Sequence, residues 1–284
     1  MQIMIDLDEL IQDVGDILDY NKNARSTFLI SVSQICIYLL RMLCIWFPIN
    51  NANQSMPSEK IFQVVYSDAQ AIIFTSIYCY SIIILRVRFK WVNRVLKEIK
   101  LLNSWEYKVF SLGKMTPNIV KVVQIQEKHV CEKIKTCARV YSMLFNICEI
   151  VNRVFGFALL ITLFHYLNYI ILYLFYFMEA TASGLFHDVN RYVDFLVYAF
   201  WEIAIALGII FLIVYFCESV MKEAKYTASM VHEIINGDFS AEINREAMQL
   251  SVQLLHEKPL FTVLGLFDLN YALLQQKNEY LQYI

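Results

Sequence analysis

Glycine and proline are scarce, 7 and 4 residues in a chain of 284. That excludes long flexible linkers and the turn chemistry of a β-rich fold. Charge is scarce too: 18% of residues are Asp, Glu, Lys or Arg, and the net charge is −2. No basic surplus exists to meet a polyanion, so no nucleic-acid partner is expected. Catalytic signatures are missing as well. There is no phosphate-cradling glycine loop, no HExxH helix and no nucleophile elbow. His129, Cys131 and Cys137 lack zinc spacing. The sequence therefore predicts no metal, no cofactor and no enzyme. The N-terminal residues are acidic at Asp6, Asp8, Glu9, Asp13, Asp16 and Asp19 and lack the apolar core of a signal peptide.

Apolar residues are what the chain has in abundance, 58% of the total. They concentrate in four runs, 27–48, 64–85, 154–178 and 195–217. A membrane-crossing helix needs about 20 mostly apolar residues, and each run meets that length. The first run is expected to act as its own insertion signal. The predicted fold class is all-α, a polytopic membrane helical bundle. Transporter spans are commonly broken by glycine or proline, and these are not.

Lysine and arginine divide unevenly around the runs. Twenty-one lie before the first run, in the segment 86–153 or in the tail 218–284, against only Lys60 and Arg191 in the loops 49–63 and 179–194. The positive-inside rule puts both termini and 86–153 in the cytoplasm. Asn53, in the only N-x-[ST] sequon, then lies outside and is a glycosylation candidate. All seven cysteines fall in runs or on the cytoplasmic side, so no external disulfide is expected.

Outside the runs, residues 1–26 hold an amphipathic helix over 5–20, with Leu7, Leu10, Ile11, Val14, Ile17 and Leu18 on one face. In 86–153, one helix covers Trp91–Leu102 and a second begins at Asn118 after a break at Gly113–Pro117. The fourth run is expected to continue as a cytoplasmic helix through Glu218–Leu255. Pro259 ends it, and Asp268 is an N-cap candidate for a short closing helix. Long striped helices below the membrane predict a packed intracellular bundle.

Ionisable and polar groups inside spans are functional candidates by default. Arg41, Asp68, Asn168 and Glu202 are the intramembrane polar candidates. Arg41 either snorkels to the headgroups or pairs with Asp68 or Glu202. Amphipathic rings lining a cavity would suit a small organic ligand. Tyr78, His165, Tyr169 and Trp201 are the ligand-pocket candidates, with helix packing the competing role for each.

The last third of the chain resembles a known family. Ser251–Tyr271 contains Gln253-Leu254-Leu255-His256, Lys258-Pro259 and Gly265-Leu266-Phe267. It is similar to the segment before the last helix of insect gustatory receptors. Cys217–Thr227 resembles that family's sixth-span exit. Tyr141–Gly156, with Asn152 and Phe155-Gly156, resembles the entry to its fifth. The likeness covers most of 135–274.

The resemblance implies a seven-span plasma-membrane receptor with a cytoplasmic N-terminus. It also implies a tetrameric ligand-gated cation channel that senses small-molecule tastants through a pocket in the outer half of the bundle. A cytoplasmic anchor would hold the tetramer together, and the seventh span would line the pore. On that alignment the four runs correspond to the third to sixth spans. Two N-terminal spans and the seventh, with its Thr-Tyr and Gln-Phe signature, have no counterpart in these residues. The expectation is a form truncated at both ends, with no pore residue and no conduction by itself. The alternative is an accessory or dominant-negative subunit that associates with full-length receptors.

Overall fold

A computed structural model describes the backbone of residues 2–13, 25, 28–29, 32–40, 42–43, 58–110, 117–182 and 189–272. Helix α1 spans Gln2–Asp13, and α2 is described over 32–40 and 42–43. Three long helices follow: α3 (Ser58–Phe110, 53 residues), α4 (Pro117–Ala182, 66 residues) and α5 (Val189–Ile235, 47 residues). Then come α6 (Ala241–His256), β1 (Thr262–Val263) and β2 (Phe267–Asp268). Few glycines and prolines interrupt these helices, which is why they run so far.

The predicted spans 64–85, 154–178 and 195–217 lie in α3, α4 and α5. These three contain helices long and apolar enough to cross a membrane, over Ala69–Leu102, Ile125–Glu179 and Ala199–Ile235. The chain is an all-α membrane helical bundle, with one two-stranded hairpin among the described residues. The run 27–48 is helical where α2 is described, and the rest of it lies outside the described residues. Of the helix expected over 5–20, residues 14–20 likewise lie outside the described residues.

The residues form two compact units, and α3, α4 and α5 each contribute a segment to both. The first unit comprises Met1–Tyr20, Ile82–Asn152 and Cys217–Phe261. Its core takes one face of each helix: Leu7 and Ile11 from α1, Phe89 and Leu96 from α3, Ile134 and Leu144 from α4, Val220 and Ile234 from α5. Phe89 meets Tyr141 edge to face, ring centroids 5.5 Å apart. Burying Leu7 and Ile11 contributes about 3–5 kcal/mol toward docking α1. A two-pronged ion pair reinforces it: Arg88 Nε and Nη2 donate to Asp8 Oδ1 and Oδ2 at 3.0 and 2.8 Å. The acidic face of α1 thus has a cation to meet in its own unit.

A polar knot joins α3 to α5. Asn93 Nδ2 donates to the Glu223 carbonyl at 3.0 Å, and the Thr227 hydroxyl donates to Asn93 Oδ1 at 2.7 Å. Another joins α6 to α4. Gln253 Nε2 donates to the Ala138 carbonyl at 3.1 Å, and the Ser142 hydroxyl donates to Glu257 Oε1 at 3.0 Å. Gln253 opens the Gln-Leu-Leu-His stretch, and that stretch is structural in part, since its amide and buried Leu254 fasten α6.

Two expectations are corrected. The helix from the fourth run does not continue through Leu255. It stops at Ile235 and restarts at Ala241. At the break Gly237 leaves room for the Phe239 ring, from which a Cβ would stand 3.0 Å. Ser240 then caps α6, its side chain accepting from the Ile243 N–H, which is worth about 1 kcal/mol. Asp268 is not an N-cap. It lies in β2 and pairs with Thr262, while Val263 pairs with Phe267. The turn between them has φ 53 at Leu264 and φ 73 at Gly265, the left-handed region that lets a hairpin close tightly.

The second unit comprises Asn21–Ser81, Arg153–Phe216 and Thr262–Ile284. Its buried residues include Tyr78, Leu159, Tyr166, Glu202, Ile213 and Val214. Phe155 packs against Phe74 and Tyr78, with centroids at 5.7 and 5.5 Å.

Candidate functional site

Within the second unit, α2, α3 and α5 line a half-open cavity of about 340 Å³. Its wall follows from helical spacing. On α5, Trp201, Ala204, Ile205, Gly208 and Leu212 recur every three to four residues, so they share a face. Ile209 joins them. Ile72 and Thr75 come from α3, three apart, and Gln34, Ile37 and Tyr38 from α2.

The lining is apolar with a few polar groups, the usual composition of a small-molecule pocket. Thr75 is buried, and its hydroxyl donates to the Ala71 carbonyl at 2.8 Å. Gln34 is held by the Ser76 hydroxyl, which donates to its Oε1. Trp201 Nε1 is buried and has no acceptor among the described residues. A buried donor without an acceptor costs about 1–3 kcal/mol, so a guest offering an acceptor would relieve it. Gly208 sets the room available. A Cβ built there meets nothing within 4 Å.

Of the pocket candidates read from sequence, Trp201 lines this cavity. The described lining does not include Tyr78, His165 or Tyr169. Tyr78 is fully buried beside Phe155. His165 and Tyr169 meet edge to face at 4.5 Å along α4, and Tyr173 stacks on Tyr169 at 6.1 Å. Among the intramembrane polar candidates, Glu202 is buried and Asn168 is exposed. Arg41, Asn53 and the side chain of Asp68 lie outside what is described. Sequence reasoning missed Gln34, Tyr38, Thr75 and Gly208. The available signal was Gly208, a glycine seven residues from Trp201 and on its helical face.

The family-motif segments are also brought together. In the first unit, Asn152 Nδ2 donates to the Leu260 carbonyl at 2.6 Å. In the second, a Cβ on Gly156 would stand 3.2 Å from Leu264 Cδ2 and 3.4 Å from its backbone nitrogen. Gly156 therefore leaves room for the hairpin turn.

Comparison with known proteins agrees with this picture. The family profile described as 7tm chemosensory receptor matches residues 1–276. The chain is similar to "Putative gustatory receptor 28a" of Drosophila melanogaster, 25% identical over 299 aligned positions, covering 96% of this chain and 65% of that protein. It is likewise similar to "Putative gustatory receptor 28b" of Drosophila melanogaster, 22% identical over 277 positions, covering 94% of this chain and 58% of that protein. The chain spans less than two thirds of the length of these two curated relatives.

Proposed function

This chain belongs to the 7tm chemosensory receptor family, and from that premise we propose that it serves a gustatory receptor of the ligand-gated cation channel type. Its four apolar runs form the bundle that binds a small-molecule tastant, in the plasma membrane with both termini cytoplasmic. The observation that carries the reading is the cavity lined by Trp201: apolar, of ligand size, with one buried donor lacking an acceptor among the described residues.

A specific observation favours assembly with related subunits. On α6 the buried face carries Ile243, Ala247, Leu250 and Leu254, and the opposite face is apolar as well. Met248, Val252 and Leu255 are 57%, 51% and 62% exposed at i, i+4 and i+7. A helix apolar on two sides suits a helix shared between two partners. The same face supports the second reading, an accessory or dominant-negative subunit bound to full-length receptors.

The test is co-expression. These 284 residues are produced alone, and with the full-length Drosophila relative, in cells whose membrane current is recorded during tastant application. With the relative, they are expected to co-purify and to change its response. No association with the relative and no change in its response would contradict the reading.

A further inference from the structure

The hairpin turn is made of unusual residues for its backbone. Turns with positive φ at both central positions favour Asn, Asp and Gly. Here the sequence is Val263-Leu264-Gly265-Leu266, and Leu264 holds φ 53. That conformation is unfavourable for leucine. Leu264 and Leu266 are also 49% and 68% exposed. In water, this turn would combine backbone strain with two uncovered leucines.

Its surroundings give the leucines a solvent. The turn sits against Gly156, whose missing side chain lets Leu264 approach. Gly156 is three residues beyond Arg153, the last charge before an uncharged helical stretch that runs to Glu179. At the helical rise, that is about 4.5 Å past the charge, at the start of the uncharged stretch. On the same helix Val154 and Phe157 are 64% and 63% exposed. The turn therefore continues the exposed apolar surface of α4.

The backbone of the turn is suited to that depth. A segment entering lipid must satisfy its own N–H and C=O groups. Leu266 N–H donates to the Val263 carbonyl at 2.9 Å, and Gly265 N–H donates to Thr262 Oγ1 at 3.3 Å. Thr262 and Val263 pair with Asp268 and Phe267.

We propose that residues 264–266 form an interfacial wedge. Leu264 and Leu266 insert among the acyl chains at the bilayer edge marked by Arg153, and the Arg153 guanidinium meets headgroup phosphates. The partner of this surface is lipid rather than water or a second protein.

The test uses the 284-residue chain in nanodiscs holding one copy each. A polarity-sensitive dye is attached at Leu266→Cys, with the labelled unsubstituted chain as blank. The same dye at Asp238→Cys, on the turn after α5, gives the aqueous reference. Leu264→Cys supplies an independent second reading. The wedge predicts blue-shifted emission at 266 and 264 relative to 238. It also predicts quenching by lipids carrying a nitroxide near the top of the acyl chain, and indifference to aqueous iodide. Quenching by iodide puts the turn in water and overturns the proposal. Silence to both quenchers means that protein covers the turn, and overturns it equally.

Discussion

Trp201→Phe removes one N–H and keeps a ring against the cavity. A neutral hydrogen bond contributes about 1 kcal/mol net, roughly a fivefold change in affinity. Ligands with a carbonyl or ether oxygen are expected to bind about that much more weakly to the variant, and ligands without an acceptor equally well. Titration calorimetry on matched ligand pairs checks this, and an equal loss for both would remove the indole from the site. Trp201 could be picked from sequence because a large ring with a polar edge is conspicuous inside a span. Thr75 and Gln34 could not. Their polarity is small, and within a continuous apolar run nothing fixes which way each side chain faces. Tyr78 illustrates the same gap. Tyrosine enrichment is visible in the sequence, but its direction, inward against Phe155, is set by packing.

Elements were legible where periodicity or length carried them and illegible where one residue decided. The Glu218–Leu255 stretch keeps its apolar spacing across Gly237, so the stripe gave no sign of the break. Gly237 and Ser240 were the local clues, a tight turn followed by an N-cap residue. The hairpin was hidden because Leu264-Gly265 is not a polar turn signal and its strands are two residues each. Helix α1 was legible from its stripe, although its ion partner Arg88, eighty residues away, was not. Asp8→Asn keeps the shape and leaves the Arg88 guanidinium, 9% exposed, without its countercharge. We expect a loss of about 2 kcal/mol. Hydrogen exchange should then quicken about thirtyfold across Gln2–Asp13 and stay unchanged in α6. Unchanged protection of α1 would mean that its apolar face alone holds it.

At the scale of the whole molecule, composition carried the most. The membrane class, the all-α architecture and the helices behind three of the four runs follow from where apolar residues concentrate, since a bilayer demands long unbroken helices. The family was legible in a few side chains whose structural roles are now visible. Gln253 fastens α6, Asn152 holds the Leu260 carbonyl, and Gly156 clears space for Leu264. The cavity was not legible, because it depends on three helices meeting at one height. This cavity is the proposed ligand site, and Gly208 gives the most direct access to it. A leucine there enters open space, so the fold should keep its melting temperature within a degree or two, as for substitutions away from packed contacts. Binding of a tastant that saturates the unsubstituted chain is measured on Gly208→Leu in the same nanodiscs. Saturable binding is expected to be lost while melting and assembly are retained. Saturable binding at unchanged affinity would place the ligand elsewhere and contradict it.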